Sequence, residues 1–415
     1  MKKTKKIVII ILLAICIAAG LFVAVKLSKD WPEDAVYADT KFYTDDGVYY
    51  IKNHTQLVFY DYGTNTENKV CAKPNCEHDD TSCNSYYDAF TSYIMVYNDK
   101  LYVAYSPLPD EEDLNDEGTL QKLDRNTYIE VSELDGSNRK TIYTSNCGNV
   151  LSMCAIGDKL YFTEFQYHDV DNHEMNTEYT YSYLFCYDLT WGTTKELICY
   201  DASDENYSSS MEIMYYDTDA AELYILHSYK DITDESDEKI YEQIISYNDG
   251  NAEAVFEFPE NTSINLESAY LTDEGMFCSY AEDYYDLYDD AKYEFVLMDM
   301  SGNVLQKLAE YADGSIYNYG SWYMILLDDV NKLMYDTEND KWYIGNIEET
   351  WIPDIAYVNP EEDIIFYDKT DYTGMEPGTL LTENPVNYTS GSWSEFLAEH
   401  FTEYDGTELD WITVY

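Results

Sequence analysis

Apolar positions along most of this chain fall in short runs, some alternating with polar residues and some apolar throughout, and Gly, Asn or Asp ends each run. The runs are rich in Tyr, Val, Ile and Phe, which fit a pleated surface, so the pattern predicts strands from about residue 36 onward. Two elements recur. The first is a turn followed by an apolar–aromatic pair: Gly47-Val48-Tyr49, Lys100-Leu101-Tyr102, Lys159-Leu160-Tyr161, Glu222-Leu223-Tyr224, Gly275-Met276-Phe277, Ser321-Trp322-Tyr323 and Asp363-Ile364-Ile365-Phe366. Its aromatic positions average about 53 residues apart. The second follows each of the first six, as a strand running into a polar hairpin: Tyr60-Asp61-Tyr62-Gly63, Leu134-Asp135-Gly136, Tyr187-Asp188, Tyr247-Asn248-Asp249-Gly250, Met298-Asp299-Met300-Ser301-Gly302 and Tyr335-Asp336. Asp-Gly and Ser-Gly suit such hairpins because the turn needs positive φ.

A period near 50 residues with four short strands per unit predicts an all-β β-propeller. One blade cannot bury both faces of its own sheet, so blades stack around an axis. The repeat count predicts seven blades, with six or eight as alternatives; a β-sandwich would leave the regular spacing unexplained. The seventh unit is poorly marked, because no second hairpin follows Phe366. Ser392-Trp393-Ser394-Glu395 then reads as a helix start with a capping box, followed by Phe396, Leu397, His400 and Phe401 on one face. Trp411 to Tyr415 would be a closing strand.

The first thirty residues differ. Lys2, Lys3, Lys5 and Lys6 precede an uncharged run from Ile7 to Val25, which as a helix rises ~28 Å, enough for the ~30 Å hydrocarbon core. The run is longer than a signal-peptide h-region. Leu13-Ala14-Ile15-Cys16 resembles a lipobox, but Ile15 is not small and the apolar run continues past Cys16. The prediction is an uncleaved transmembrane helix, with cleavage or lipidation as the alternative. The lysines place the N-terminus in the cytosol and the rest of the chain outside the cell, at the cell surface. The domain reading is thus a cytosolic stub and anchor over 1–26, a linker over 27–35, a propeller over 36–390, and the short helix and strand over 391–415.

Charge sharpens this picture. The 415 residues carry 81 acidic and 24 basic side chains, a formal charge of −57, with 46 tyrosines and a mean hydropathy of −0.46. That hydropathy excludes a multi-span membrane protein, and the negative charge, with only Arg125 and Arg139 as arginines, excludes a nucleic-acid partner. In a propeller the loops between second and third strands share one face. Four successive ones are long and acidic: Asp110, Glu111, Glu112, Asp113, Asp116 and Glu117; then Asp169, Asp171, Glu174 and Glu178; then Asp231, Asp234, Glu235, Asp237 and Glu238; then Glu282, Asp283, Asp286, Asp289 and Asp290. Solubility alone would explain them. The functional reading is a face that binds Ca²⁺ or a cationic partner. Asp231, Thr233, Glu235 and Glu242 start and end an EF-hand-like spacing, but Ser236 holds the glycine position.

The sharpest local feature is Cys71-x4-Cys76-x-His78-x4-Cys83, between the first two units. Three thiols and an imidazole could supply four ligands to tetrahedral Zn²⁺, although paired zinc cysteines usually stand two residues apart. Outside the cell, disulfides compete, with Cys147 or Cys154 as further partners. Cys186, Cys199 and Cys278 lie in apolar strand runs and read as core. With Pro74, this motif after an N-terminal anchor and among Tyr-rich units resembles a family of uncharacterised, membrane-anchored β-propeller surface proteins. These belong to clostridial-type Gram-positive bacteria and have six-bladed, TolB-like relatives. The resemblance covers most of 36–370 and implies a propeller on the outer face of a Gram-positive membrane, with no ligand or catalytic residue to carry over.

No Gly-x-Ser-x-Gly, His-Glu-x-x-His or phosphate-binding Gly loop occurs, and of the six histidines only His78 lies in a cluster. His168, Asp169, Asp171 and His173 have metal-ligand chemistry but sit in a polar loop. The expected function is a membrane-tethered extracellular binding module for a peptide, glycan or partner protein. The alternative is a carbohydrate-active propeller enzyme, which needs only a carboxylate pair at the right separation.

Overall fold

A computed structural model describes residues 35–44, 46–64, 66–78, 81–107, 126–145, 148–167, 180–200, 207–218, 220–231, 239–258, 263–272, 275–281, 293–299, 302–311, 315–319, 322–326, 332–337, 339–345, 355–359, 363–368 and 388–404. The predicted anchor over 7–25, with Cys16, lies outside them. Among the described residues no helix is long and apolar enough to cross a membrane.

A short strand, β1 (Val36–Tyr37), precedes a series of antiparallel meanders. The first comprises β2 (Lys41–Thr44), β3 (Gly47–Lys52), β4 (Gln56–Asp61) and β5 (Thr66–Lys69). The second comprises β6 (Ala89–Tyr97), β7 (Lys100–Pro107), β8 (Tyr128–Glu133) and β9 (Lys140–Thr144). The third comprises β10 (Gly148–Ile156), β11 (Lys159–Tyr167), β12 (Thr180–Asp188) and β13 (Thr193–Tyr200). In the fourth are β14 (Tyr207–Asp217), β15 (Glu222–Asp231), β16 (Lys239–Asn248) and β17 (Asn251–Glu257). The fifth has β18 (Ser263–Thr272), β19 (Gly275–Ala281), β20 (Tyr293–Met298) and β21 (Val304–Tyr311). The sixth has β22 (Ser315–Tyr319), β23 (Trp322–Leu326), β24 (Lys332–Asp336) and β25 (Lys341–Gly345). The last has three strands, β26 (Ile355–Asn359), β27 (Ile364–Asp368) and β28 (Tyr388–Ser392), followed by helix α1 (Trp393–His400) and β29 (Phe401–Tyr404).

The sequence repeat maps directly onto this order. Tyr49, Tyr102, Tyr161, Tyr224, Phe277, Tyr323 and Phe366 each stand in the second strand of a meander. The polar hairpins join third to fourth strands, and a carboxylate closes them: Asp188 Oδ1 accepts from Thr190 N at 2.9 Å and Trp191 N at 2.8 Å, and Asp61 Oδ1 accepts from Thr64 N at 2.8 Å. Gly136, Gly250 and Gly302 supply the positive φ at three of these turns.

First strands contact first strands: β2 meets β6, β6 meets β10, β10 meets β14, β14 meets β18 and β18 meets β22. That places the first strands of six successive meanders nearest a common axis, and the fold is an all-β β-propeller. Among the described residues the strands form six hydrogen-bonded sheets, which corrects the expected seven blades to six. The third and fourth meanders fuse into one nine-stranded sheet through a parallel pair, Thr180 beside Ser208. Nothing in the residue pattern marks such an edge pairing, because it is made between backbones.

The core lies in the seams between meanders. Tyr49, Leu57 and Val70 pack on Ile94, Leu101 and Val103. Tyr102, Ala104 and Ile129 pack on Met153, Leu160 and Phe162. Leu184 and Ile198 pack on Met211, Ile225 and Ile245, and Leu226 and Ile244 on Met276, Cys278 and Val296. Phe277 and Phe295 meet Tyr323 and Tyr335, with the Phe295 and Tyr323 rings 4.8 Å apart. Trp322 and Met334 pack on Ile355, Ile365, Trp393 and Phe396. Along β7 and β15 successive residues enter opposite seams, so these strands read as continuous apolar runs.

At the C-terminus Ser392 caps α1, its Oγ accepting from Glu395 N at 3.1 Å. Phe396 is buried as expected and Trp393 is buried beside it, but Phe401 opens β29, which pairs with β25 at the rim of the sixth meander. Trp411 to Tyr415, the expected closing strand, lie outside the described residues.

Polar groups enter one seam as a chain. Ser182 Oγ lies 2.5 Å from Ser209 Oγ, Ser209 Oγ 2.8 Å from His227 Nε2, and His227 Nδ1 2.8 Å from Gln243 Nε2, while the Tyr200 ring stacks on the imidazole at 4.1 Å. Burial pushes the His227 imidazole down to about 4. Its folded value lies below its unfolded one, so the stability it confers is complete above pH ~6.5 and is lost as pH falls through about 4. That loss amounts to about 3 kcal/mol. Glu164, raised by burial, works in the opposite sense, contributing in acid and losing that contribution as pH rises. Urea unfolding of wild type and His227→Gln at pH 7 and pH 4 isolates the histidine. The wild type should lose more stability across that range than the variant, by up to the stated amount.

Candidate functional site

Residues 70–88 connect the outermost strand of the first meander to the innermost strand of the second. The connection is pinned beside the turn between β3 and β4. Leu57 N donates to Ser85 O at 2.8 Å, Tyr87 N to Thr55 O at 3.0 Å and Ala89 N to His54 O at 2.6 Å. It therefore lies on the face reached by the second-to-third-strand loops.

Cys71, Cys76, His78 and Cys83 converge here, with one ligand atom from each within 4.8 Å of all the others. His78 Nδ1 lies 3.1 Å from Cys83 Sγ. Asn75 and His78 adopt φ of 61° and 62°, which turns the chain back so that residues 76 and 78 meet both ends of the loop. Lys73 Nζ donates to Ser82 O across it. Cys83 is 2% exposed, and Ser85 holds it from below: Ser85 N donates to Cys83 Sγ at 3.4 Å, and Ser85 Oγ, 3.0 Å from the same sulfur, donates to Gln56 Oε1 at 3.1 Å. Burial raises the Cys71 thiol, but hydrogen bonds from the Lys73 and Asn84 backbone and from Cys83 and Cys76 outweigh it and leave Cys71 below its ordinary value. Cys76 is shifted up, by desolvation first and then by its bonds to Cys83 and Cys71.

The far end of the loop is held by a residue that sequence reasoning left without a role. Arg139, on the β8–β9 hairpin, donates from Nη1 to Tyr86 O at 2.6 Å and Asn84 O at 3.1 Å, and from Nε to buried Glu130. Its guanidinium carbon stands 3.8 Å from the centre of the Tyr87 ring. The signal in the sequence was rarity: a chain with two arginines places one of them here.

The other predicted site residues are not brought together by described structure. Asp110, Glu111, Asp113, Asp169, Asp171, Asp234, Asp237, Asp283, Asp286, Asp289 and Asp290 lie outside the described residues, as do His168, His173 and Cys147. Asp231 ends β15, opposite Lys239. Of the EF-hand-like spacing, Glu242, its twelfth position, sits buried in β16 and accepts from Ser228 Oγ at 3.0 Å, while 232–238 lie outside the described residues. Of the three cysteines read as core, Cys186 and Cys278 are buried and Cys199 is exposed, since β13 is an outer strand. Cys154 is buried on β10. Ser209, His227 and Gln243 resemble a nucleophile–base–orienter set in outline, yet Ser209 and His227 are 5% and 4% exposed, and a neutral amide offers the imidazole no charge stabilisation.

No protein-family model matches the chain, and no curated protein matches it. Among solved structures it is similar to an oligogalacturonate lyase in complex with manganese (11% identity, 81% of this chain and 88% of that one, TM-score 0.42). It is also similar to an oligogalacturonate lyase from Vibrio parahaemolyticus (10%, 83% and 90%, 0.43) and to an acylaminoacyl peptidase from Pyrococcus horikoshii (14%, 68% and 43%, 0.37). At these identities and scores no site residue and no activity carries over.

Arg139→Lys should keep the charge and lose the two-carbonyl grip, costing about 1–3 kcal/mol. Arg139→Met should cost about 3–5 kcal/mol, because Glu130 is then left buried without its counter-charge, with only Thr141 Oγ1 donating to it at 3.2 Å. Denaturant unfolding reads both, and faster amide exchange at Leu57 and Tyr87 in the lysine variant would show that the loop has loosened.

Proposed function

We propose that this chain is a membrane-tethered extracellular recognition module that presents a face of long acidic loops, turned away from the membrane, to a cationic group on a peptide, glycan or partner protein. The observation that supports this reading most is where β1 docks. Val36 pairs with Ala155 and Tyr37 with Cys154, near the end of β10, and Tyr37 Oη accepts from Tyr216 N at 2.7 Å. Ala35 therefore sits on the face of the short hairpins, where first strands turn into second strands. The second strands β7, β11, β15 and β19 end on the opposite face, and the acidic segments 108–125, 168–179, 232–238 and 282–292 follow those ends in the sequence. A tether at residues 7–25 would then hold the hairpin face toward the bilayer and leave the acidic loops to the exterior.

The enzyme reading needs two carboxylates free to face a substrate. The buried carboxylates among the described residues serve the fold instead: Glu130 pairs with Arg139, Glu164 accepts from Tyr143 Oη at 2.5 Å, Glu242 accepts from Ser228, and Asp336 accepts from Asn339.

On intact cells a glutamate-specific protease should cut within 108–125 and 168–179, while a lysine-specific protease should leave Lys2, Lys3, Lys5 and Lys6 uncut. A fluorescent oligolysine peptide should bind the purified full chain in a salt-sensitive way. Replacing Asp110, Glu111, Asp113, Asp169 and Asp171 by their amides should weaken that binding at least tenfold. Undiminished binding would sink the loop-face reading. Ca²⁺ bridging two loops should raise the thermal midpoint by several degrees over chelator at matched ionic strength, and equal midpoints would leave the loops without a metal role.

A further inference from the structure

We infer that Cys71, Cys76, His78 and Cys83 form a tetrahedral Zn²⁺ site that clamps the first meander to the second. The donor set carries the choice of metal. Three thiolates and one imidazole are soft-to-borderline ligands, and this set closes a four-coordinate structural zinc site with no position left for water. Oxygen-seeking cations such as Ca²⁺ and Mg²⁺ find no oxygen ligand among the four.

Geometry agrees. Zinc bonds of about 2.3 Å to sulfur and 2.0–2.1 Å to nitrogen put neighbouring donors ~3.5–3.8 Å apart. The four ligand atoms here all lie within 4.8 Å of one another, and the His78 Nδ1 to Cys83 Sγ separation is 3.1 Å. A modest adjustment brings them to zinc distances: the Nδ1–Sγ pair opens by about 0.4 Å and the wider pairs close, with Nδ1 as the ligating nitrogen.

A disulfide fits the same place less well. It would use two sulfurs and give the third thiol and the imidazole no task, although the chain turns through left-handed φ at His78 and brings that ring to the sulfurs. The convergence of all four groups, with no sulfur pair singled out, is what a metal requires and a disulfide does not.

The loop itself needs such a centre. Between Cys71 and Cys83 the intervening residues include only Ala72 and Pro74 as apolar ones, so the segment cannot hold itself on a core of its own. Its C-terminal end is held from both sides, by Leu57 N on Ser85 O and by Arg139 on Asn84 O and Tyr86 O, and its start by Val70 N on Leu57 O at 3.0 Å. Zinc would tie its middle to those ends. Loading is a ligand exchange: Zn²⁺ takes three thiols and a neutral imidazole and releases three protons, leaving a complex of charge −1 with no change of oxidation state.

The test uses the full-length chain in detergent, made without reductant or chelator. Elemental analysis should find one zinc per chain, and replacement by Co²⁺ should give the thiolate charge-transfer and ligand-field bands of a tetrahedral sulfur-rich site. In denaturant with chelator and no reductant, Cys71, Cys76 and Cys83 should all alkylate. Cys76→Ser and His78→Ala, at half-buried positions, should each weaken Zn²⁺ binding at least 100-fold. Chelator should lower the thermal midpoint of wild type and leave that of Cys76→Ser unmoved. Any two of the three thiols protected until reductant is added, fewer than one zinc per chain, or zinc affinity unchanged in both variants would overturn the site. If both variants fail to fold, the cobalt spectrum and the alkylation pattern of the wild-type chain decide the matter.

Discussion

Everything in this molecule depends on one constraint: a four-stranded meander here has two apolar faces and can bury neither by itself. Leu101 and Val103 look toward the first meander while Tyr102 and Ala104 look toward the third, and all four are at most 5% exposed. Burying apolar surface at roughly 25 cal/mol per Å² stabilises only when a neighbour supplies the matching face, so no meander is stable without those beside it. The axial contacts between first strands follow from that demand, since turning a stack of twisted sheets about an axis gives every face a partner.

This constraint also explains how much of the fold could be read in advance. A strand buried on both faces is apolar in consecutive positions, and its turn needs polar residues with positive φ, so second strands and outer hairpins recur visibly. The seven aromatic positions mark seven second strands for this reason. What failed to show was backbone work without side-chain signature. The parallel pair at Thr180 and Ser208 fuses two meanders into one sheet and reduces the sheet count to six, and either residue could be replaced without altering that bond. The same holds for Phe401, expected to continue the helix and found starting a strand that caps the rim of the sixth meander.

Site residues were legible in proportion to how local they are. Cys71, Cys76, His78 and Cys83 stand within thirteen positions and could be grouped by chemistry alone. The residues that hold them came from elsewhere: Gln56 on β4 through Ser85, and Arg139 and Glu130 from the second meander. Ser209, His227 and Gln243 met for the same reason, three successive strands in register, with no spacing in the chain to announce them.

The distribution of charge follows the same constraint. A formal charge of −57 repels itself, and repulsion is least costly where water and salt screen it. The seams are apolar, and the few buried carboxylates among the described residues are ion-paired, as Glu130 is with Arg139, or hydrogen-bonded, as Glu164 is to Tyr143, so the excess falls at strand ends and in the loops between second and third strands. Those loops are bounded by strands whose register is fixed by seam packing rather than by the loops, which lets them vary in length and charge without moving the scaffold. The connection carrying Cys71 to Cys83 is the exception. It runs from one meander to the next, so its conformation sets how two blades meet. That makes it the place on this face where a local clamp does more for the fold than another acidic loop could.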